Sequence, residues 1–430
     1  MTNRPAPLVL YRLVATAIAP LVYWRTRKRL LAEDFPPGRI AERLGFATRA
    51  RPSGQLVWFH AASIGESLSI LPLVQELSGE VSMLVTTGTA TSAKLLERRL
   101  PPGAAHQFAP LDTSRAARRF LTHWQVDVAV FVESEVWPNL IEATSQRATP
   151  IMLINARMSK STLNRWTKMP KSARAVFSKF LRIFTQDQRT HDGLAALVSS
   201  PESKLVVGGN MKAAAKPLPV DQAALSEWRK RLRDRPVWIA SSTHEGEEEP
   251  LRAAHRAIRQ NHPDAIMVLV PRHPHRGLKL ADETRAEGFS TARLAGNECV
   301  TEETAVLVAD TIGDLGLWYR LSPVVFLAGS FGNAGGHNPW EPVALGAALL
   351  HGPNVANAAD DYRQLAECGA AIEVADADSL ARVVTALLSS ETGASARQTA
   401  AAEALEGAQA LVAQIAGEIR GYLEHQSSAR

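Results

Sequence analysis

Glu66 follows a run of small residues, His60-Ala-Ala-Ser-Ile-Gly65, and stands just before a helical pattern that opens at Leu68. A carboxylate there is either a first-turn residue complementing a helix dipole or a general base within reach of a hydroxyl. Farther along, Glu133-Ser-Glu135-Val-Trp137-Pro138-Asn139 puts two carboxylates two residues apart. On an extended segment both point one way and Ser134 the other. They suit a cap, an ion pair with Arg157, or one wall of a site. Lys212, at the end of Gly208-Gly-Asn-Met-Lys212, is either an exposed lysine or a cation that neutralises a phosphate. Pro271-Arg272-His273-Pro-His275-Arg276 carries donors that match phosphate oxygens. Ser241-Ser-Thr-His-Glu-Gly-Glu247 reads as a helix N-terminus able to hold an anion.

The longest signal is Gly329-Ser-Phe-Gly-Asn-Ala-Gly-Gly-His337-Asn338-Pro339-Trp340-Glu341. Its glycines let backbone N–H groups approach a phosphate closely. Asn338 and Glu341 lie one helical turn apart, so both can face one ligand, the glutamate accepting from ribose hydroxyls. The stretch is neither a G-x-G-x-x-G nor a P-loop, and no G-x-S-x-G elbow marks a serine hydrolase. His273 and His275 have no neighbouring acid or histidine cluster to complete a metal site. Asp376-Ala-Asp378 precedes a helical pattern and reads as a cap rather than a metal–nucleotide site.

These residues all follow short β-branched runs. Gln55–His60, Val81–Thr86, Val126–Val132, Ile151–Ile154 and Leu205–Val207 alternate with helical stretches, the rhythm of a parallel sheet covered on both faces. The pattern stops at Lys216-Pro-Leu-Pro219, a linker by composition. It resumes with Val237–Ala240, Ala265–Val270, Ala305–Val308, Val324–Ala328 and Ala348–Leu350. The reading is α/β, with an N-terminal segment 1–36, a first domain 37–217 and a second 218–430 whose last helix is free to pack back on the first. Ligands of such sheets bind beyond the carboxyl ends of the strands, so the expected site is the cleft between the domains. A nucleotide loop in the second half and a candidate base in the first describe a two-domain glycosyltransferase better than a dehydrogenase.

The 430 residues are 46% hydrophobic and 21% charged, which excludes a disordered or fibrous chain. Two cysteines, Cys299 and Cys368, are too few for a disulfide framework. The net charge of +5 is local: residues 1–51 hold ten Lys or Arg against three acids, leaving the rest at −2. Nucleic acid is therefore not an expected partner. Leu8–Trp24 is apolar except for Arg12, is edged by Tyr11, Tyr23 and Trp24, and runs into Arg25-Thr-Arg-Lys-Arg29. That pattern suits a short anchor or an interfacial helix with the body on the cytoplasmic side. A signal peptide fits poorly, because Arg12 breaks its apolar core and the basic cluster opposes export; a buried core helix is the other alternative.

Taken in order, several motifs resemble the 3-deoxy-D-manno-octulosonic acid (Kdo) transferases of lipopolysaccharide assembly. They are His60–Ser67, Glu133–Leu140 (ESEVWPNL), Asn155-Ala-Arg157-Met-Ser159, Ser242–Glu248 (STHEGEE), Leu269–Pro274 (LVPRHP), Asp310–Leu315 (DTIGDL) and Gly335–Glu341 (GGHNPWE). The resemblance covers nearly the whole chain. It implies a GT-B-like fold of two doubly wound Rossmann-like domains facing a central cleft, with an N-terminal membrane-associated helix. It implies CMP-Kdo as donor substrate, a lipid A precursor (lipid IVA) as acceptor, the cytoplasmic face of the inner membrane as location, and neither a cofactor nor a protein-bound metal. The family's general base falls on Glu66, and its transition-state stabilisers on Glu133 and Lys212. Its CMP contacts fall on Pro271 and Arg272, on Ile312, Gly313 and Asp314, and on Asn338, Pro339, Trp340 and Glu341. Where the family often continues the lysine motif as Lys-Phe-Asp, this chain has Lys212-Ala213-Ala214, and its Gly-Gly-Ser becomes Ala328-Gly329-Ser330. Two other classes stay open at this level: another GT-B sugar-nucleotide enzyme, such as a UDP-sugar epimerase or transferase, and a non-catalytic membrane-bound nucleotide-binding module.

Overall fold

A computed structural model describes residues 5–214 and 217–428. The chain divides into two compact units, Met1–Ala215 with Gly407–Arg430, and Lys216–Glu406. In the first, seven strands form one parallel sheet: β1 (Leu56–His60), β2 (Ser82–Thr87), β3 (Ala104–Phe108), β4 (Val128–Val132), β5 (Ile151–Ala156), β6 (Arg182–Thr185) and β7 (Leu205–Val207). Their order is β3-β2-β1-β4-β5-β6-β7. Successive residues of β1 feed opposite cores, Leu56 and Trp58 one face, Val57 and Phe59 the other. A strand buried on both faces must be apolar throughout, as β1, β4 and β5 are. The chain winds outward through β2 and β3, then returns to place β4 beside β1. At that reversal the loops after β1 and β4 diverge to opposite faces and leave a crevice. Glu66 follows β1, and Glu133 and Glu135 follow β4.

The second unit repeats the plan with β8 (Val237–Thr243), β9 (Ile266–Pro271), β10 (Thr291–Arg293), β11 (Val306–Val308), β12 (Val324–Leu327), β13 (Ala348–His351) and β14 (Ala371–Glu373). The order is β10-β11-β9-β8-β12-β13-β14, so the reversal lies between β8 and β12. The loops bearing Ser242–Glu247 and the glycine stretch meet there. Four strands escape the sequence reading. β3, β10 and β14 are short or polar sheet edges, and β6 (Arg-Ile-Phe-Thr) is too brief to show a period. Of the expected linker, Lys216 lies outside the described residues. Leu218 and Pro219 dock on the helix Leu315–Leu321, where the Leu218 carbonyl accepts from Arg320 Nη1 at 2.8 Å. Asp376 caps the helix Ala377–Ser389 in a reciprocal box with Ser379.

Two long helices frame the first unit. The apolar helix Ala6–Ala32 turns Leu8, Arg12, Ala15, Ala19, Tyr23, Thr26 and Leu30 toward the body, a stripe of three- and four-residue steps. Its other faces expose Val9, Leu10, Leu13, Val14, Ile18, Leu21 and Trp24. From the far end of the chain, helix Glu391–Ser428 contributes Leu411, Val412, Ile415, Ala416, Ile419 and Leu423 to the core that holds Val57, Ile70 and Val85.

Candidate active site

In the first unit the site grows from the ends of β1, β4 and β5. Ser63 caps the helix Ile64–Glu76, its Oγ accepting from Glu66 N–H at 3.3 Å. The Glu66 carboxylate turns back to accept from Ala62 N–H at 2.6 Å and Ser63 Oγ–H at 2.9 Å. Glu66 is thus a capping residue, yet its carboxyl is pushed up to about 7. Burial is the largest cause and the charge of Glu135 the next, outweighing the hydrogen bonds from Ser63 and Ala62. Glu135 is itself raised by burial and, more weakly, by Glu133, although Trp137 Nε1–H donates to it. His60, fully buried, points Nδ1 at the Thr86 hydroxyl at 3.0 Å and brings Nε2 within 3.7 Å of Glu135. Desolvation drives its pKa down to about 3, so it is a neutral imidazole.

Glu133 leaves β4 at φ +52°, a left-handed conformation uncommon outside glycine. It faces Lys212, Nζ to Oε1 4.0 Å, from the turn Met211–Ala214. Asn155, buried at the end of β5 with φ +51°, ties the two together. Its side-chain oxygen accepts from Met211 N–H at 3.1 Å, and its amide donates to Glu133 at 3.4 Å. Asp112 then fixes the loop's far side, accepting from Leu140 N–H at 2.8 Å, Asn139 N–H at 3.2 Å and Tyr11 O–H at 2.8 Å. It supplies the cap that Trp137, at the head of helix Pro138–Ser145, does not.

In the second unit a cavity of about 350 Å³ is lined by Ser242, Arg272, Gly313, His337, Asn338 and Glu341, among others. Arg272 is exposed and makes no side-chain ion pair among the described residues, leaving its guanidinium open to an anion. Asn338 Nδ2 and Glu341 Oε1 are 3.4 Å apart. The glycine loop differs from expectation. Gly329, Ser330, Phe331 and Gly332 donate their N–H groups to the carboxylate of Glu247 at 2.7–3.3 Å, and His244 N–H joins them at 3.0 Å. The loop's anion nest is filled by the protein's own carboxylate, 1% exposed, which pins the β8 and β12 ends together. Gly329, at φ +75°, leaves the space where a Cβ would strike the His337 ring at 2.9 Å.

Glu66, Glu133 and Lys212 therefore sit in one unit, past the ends of β1, β4 and β7. Arg272, Gly313, Asn338 and Glu341 gather round one cavity in the other. Pro271, Ile312, Asp314, Pro339 and Trp340 are not among its lining residues. Ile312 is 87% exposed, and Asp314 accepts from the Thr311 hydroxyl at 2.5 Å. Trp340 is buried, its indole N–H donating to Asp361 at 3.3 Å, and Pro271 closes β9. Glu247 and Asn155 fall within the Ser242–Glu248 and Asn155–Ser159 motifs, but nothing in the sequence gives their partners, and Asp112 carries no signal that separates it from an ordinary acid; each takes up backbone N–H groups that only the fold brings near. Among the described residues no three His, Cys, Asp or Glu side chains converge as a metal-ligand set.

Residues 38–215 match the family model described as 3-deoxy-D-manno-octulosonic-acid transferase (kdotransferase). The chain is 35% identical over 357 residues to a probable mitochondrial 3-deoxy-D-manno-octulosonic acid transferase of Arabidopsis thaliana, covering 80% of this chain and 79% of that one. It is 33% identical over 399 residues to the 3-deoxy-D-manno-octulosonic acid transferase of Haemophilus influenzae, covering 90% and 92%. In fold it is similar to a putative UDP-N-acetylglucosamine 2-epimerase from Listeria monocytogenes, with a TM-score of 0.55 at 15% identity over 87% of this chain and 98% of that one. The architecture is thus GT-B-like, and the chain belongs to the Kdo transferase family of glycosyltransferases.

Proposed function

We propose that this chain moves Kdo from CMP-Kdo to a hydroxyl of a lipid A precursor, lipid IVA, with inversion and with Glu66 as general base. The observation that carries the reading is the Glu66 carboxylate, buried at a strand end and held near the pH at which a base is both ionised and able to take a proton. In the proposed step the acceptor oxygen attacks the anomeric carbon as its proton passes to Glu66. The bond to the CMP phosphate breaks with its electron pair, and CMP leaves. Glu133 and Lys212 act on the charge that develops in the sugar. Arg272 meets the phosphate, and Asn338 with Glu341 the nucleoside hydroxyls. Pro271, Ile312, Gly313, Asp314, Pro339 and Trp340 support the donor site through their loops. No cofactor or protein-bound metal is part of this reading.

The helix Ala6–Ala32 supports a membrane surface as the place where the lipid is met, at the cytoplasmic face of the inner membrane. One stripe of it follows the body from Leu8 to Leu30, so it lies along the unit rather than projecting from it. The apolar remainder, followed by exposed Arg25, Arg27, Lys28 and Arg29, suits burial in the plane of an anionic interface.

The test is CMP release from CMP-Kdo by the full chain in EDTA, with and without a tetraacylated lipid A precursor. Release that depends on the acceptor, with Kdo-bearing lipid as product, is the expected result. Activity that returns only when a divalent metal is restored would end the metal-free reading. No release under either condition, together with turnover of a UDP-sugar, would favour the epimerase or UDP-transferase alternative.

A further inference from the structure

We infer that His244 and His337 form one protonable unit of the donor cavity, which takes up a single proton when a nucleotide phosphate binds beside Arg272. The inference rests on the donor reading above. The two rings are 9° from parallel with centroids 5.1 Å apart, and their Nε2 atoms approach to 2.9 Å. Rings so placed meet edge to edge through one N–H···N bond. His337 lines the cavity together with Arg272 and Ser242.

The tautomers follow from the remaining contact. His337 also bonds the Ser242 backbone, and with Nε2 engaged this falls to Nδ1–H donating to the carbonyl. Neutral His337 then has a bare Nε2, and His244 must supply the Nε2–H between the rings. His244 Nδ1 is left as a lone pair with no hydrogen-bond partner among the described residues. A proton from water can add there without disturbing either bond, and no other bond forms or breaks. A second proton would set two N–H groups head to head, so the pair holds one charge and no more.

The surroundings make this uptake conditional. Burial opposes charge on His244, and Arg272 and His273 at the β9 end add to that, while Glu247 and Glu248 on the helix side favour it. His337 faces burial, His244 and Arg272 against charge, with Glu247 and the Ser242 carbonyl in favour. Without ligand, His337 lies at about 4 and His244 below its ordinary value, so the pair is neutral at pH 7. A phosphate at Arg272 replaces a repelling neighbour with an attracting one and draws the proton in. The second cation beside the departing phosphate is then assembled only when the donor is present.

Two measurements on the full-length protein test this, with CMP as the probe. In calorimetry at pH 7.5 in buffers of different ionisation enthalpy, wild type should take up a large fraction of a proton per CMP bound, and H244Q almost none. The affinity advantage of wild type over H244Q should grow about fivefold from pH 8 to pH 6.5. In histidine-selective ¹⁵N spectra of wild type, which need no variant, His244 Nδ1 should pass from unprotonated to protonated on CMP addition. Equal uptake by H244Q, or a His244 Nδ1 that CMP leaves unprotonated, would overturn the pair as the protonable unit while leaving the donor cavity standing. Absence of CMP binding by wild type would instead overturn the donor reading and this inference with it.

Discussion

Glu66 closes a helix N-terminus, and in the proposed reaction the same carboxylate is the base. The first alone would hold it ionised; burial and Glu135 reverse that and raise it to about 7. Two consequences separate its roles. E66Q, which preserves the contacts to Ala62 and Ser63, should lower turnover about 100-fold or more, and the wild-type rate should climb about tenfold per pH unit before levelling above pH 7. The sign for folding is the opposite. A carboxyl raised in the folded state binds its proton more tightly than the unfolded chain does. Its contribution is therefore most favourable below the ordinary value and is lost as pH rises toward 7. Thermal unfolding should show E66Q gaining on wild type at pH 8 and not at pH 5. Glu247 behaves differently, because the partners of its carboxylate among the described residues are all N–H donors. E247Q would turn an amide NH₂ toward them, so urea unfolding should reveal a loss of about 2–3 kcal/mol, and CMP binding should weaken with it.

Among the elements, the helix Pro138–Ser145 shows how a distant acid can stand in for a cap. D112A removes the acceptor for Asn139 and Leu140 N–H and for the Tyr11 hydroxyl, and should cost about 1–2 kcal/mol in chemical unfolding. Its effect on activity should exceed its effect on CMP affinity, because the loop it braces carries Glu133 and Glu135. The N-terminal helix makes a separate claim. Leu10 and Leu13 are 62% and 64% exposed on the face turned away from the body. Replacing both by Gln should reduce co-sedimentation with anionic vesicles by about tenfold or more while leaving the fold intact. Raising salt to 1 M should weaken binding through the basic cluster alone. Vesicle binding by the double variant equal to that of wild type would end the interfacial reading.

For the molecule as a whole, the order of the chain and the order of the cores differ. The helix Glu391–Ser428 begins in the second unit and supplies core residues to the first, so residues at opposite ends of the sequence stabilise one sheet. Ile415 is fully buried there. I415A should cost about 2–5 kcal/mol, read as a fall in the denaturant midpoint of the first unit's transition. Because Ile415 lies more than 200 residues beyond Lys212 in the chain yet packs in the same unit, kinetics of the variant should lose stability at assay temperature before losing CMP affinity.

The sequence alone determined the features that are local. Apolar runs broken by small-residue turns specify buried parallel strands, and the apolar segment with its basic flank specifies an amphiphilic helix. The motif order specifies the family. The placement of Glu66, Glu133 and Arg272 in the segments that follow strands was legible from the apolar runs that precede them, and such segments are where ligands of parallel sheets bind. Tertiary structure alone decided the rest. Glu247 fills the glycine nest, Asn155 joins Glu133 to Met211, Asp112 caps a helix 26 residues ahead, and His337 meets His244. Each depends on backbone N–H groups or ring edges that the folded sheets bring together, and no spacing along the chain encodes that meeting. Burial of Trp340 and exposure of Ile312 belong to the same group, since a motif names residues but packing decides which of them faces the cavity.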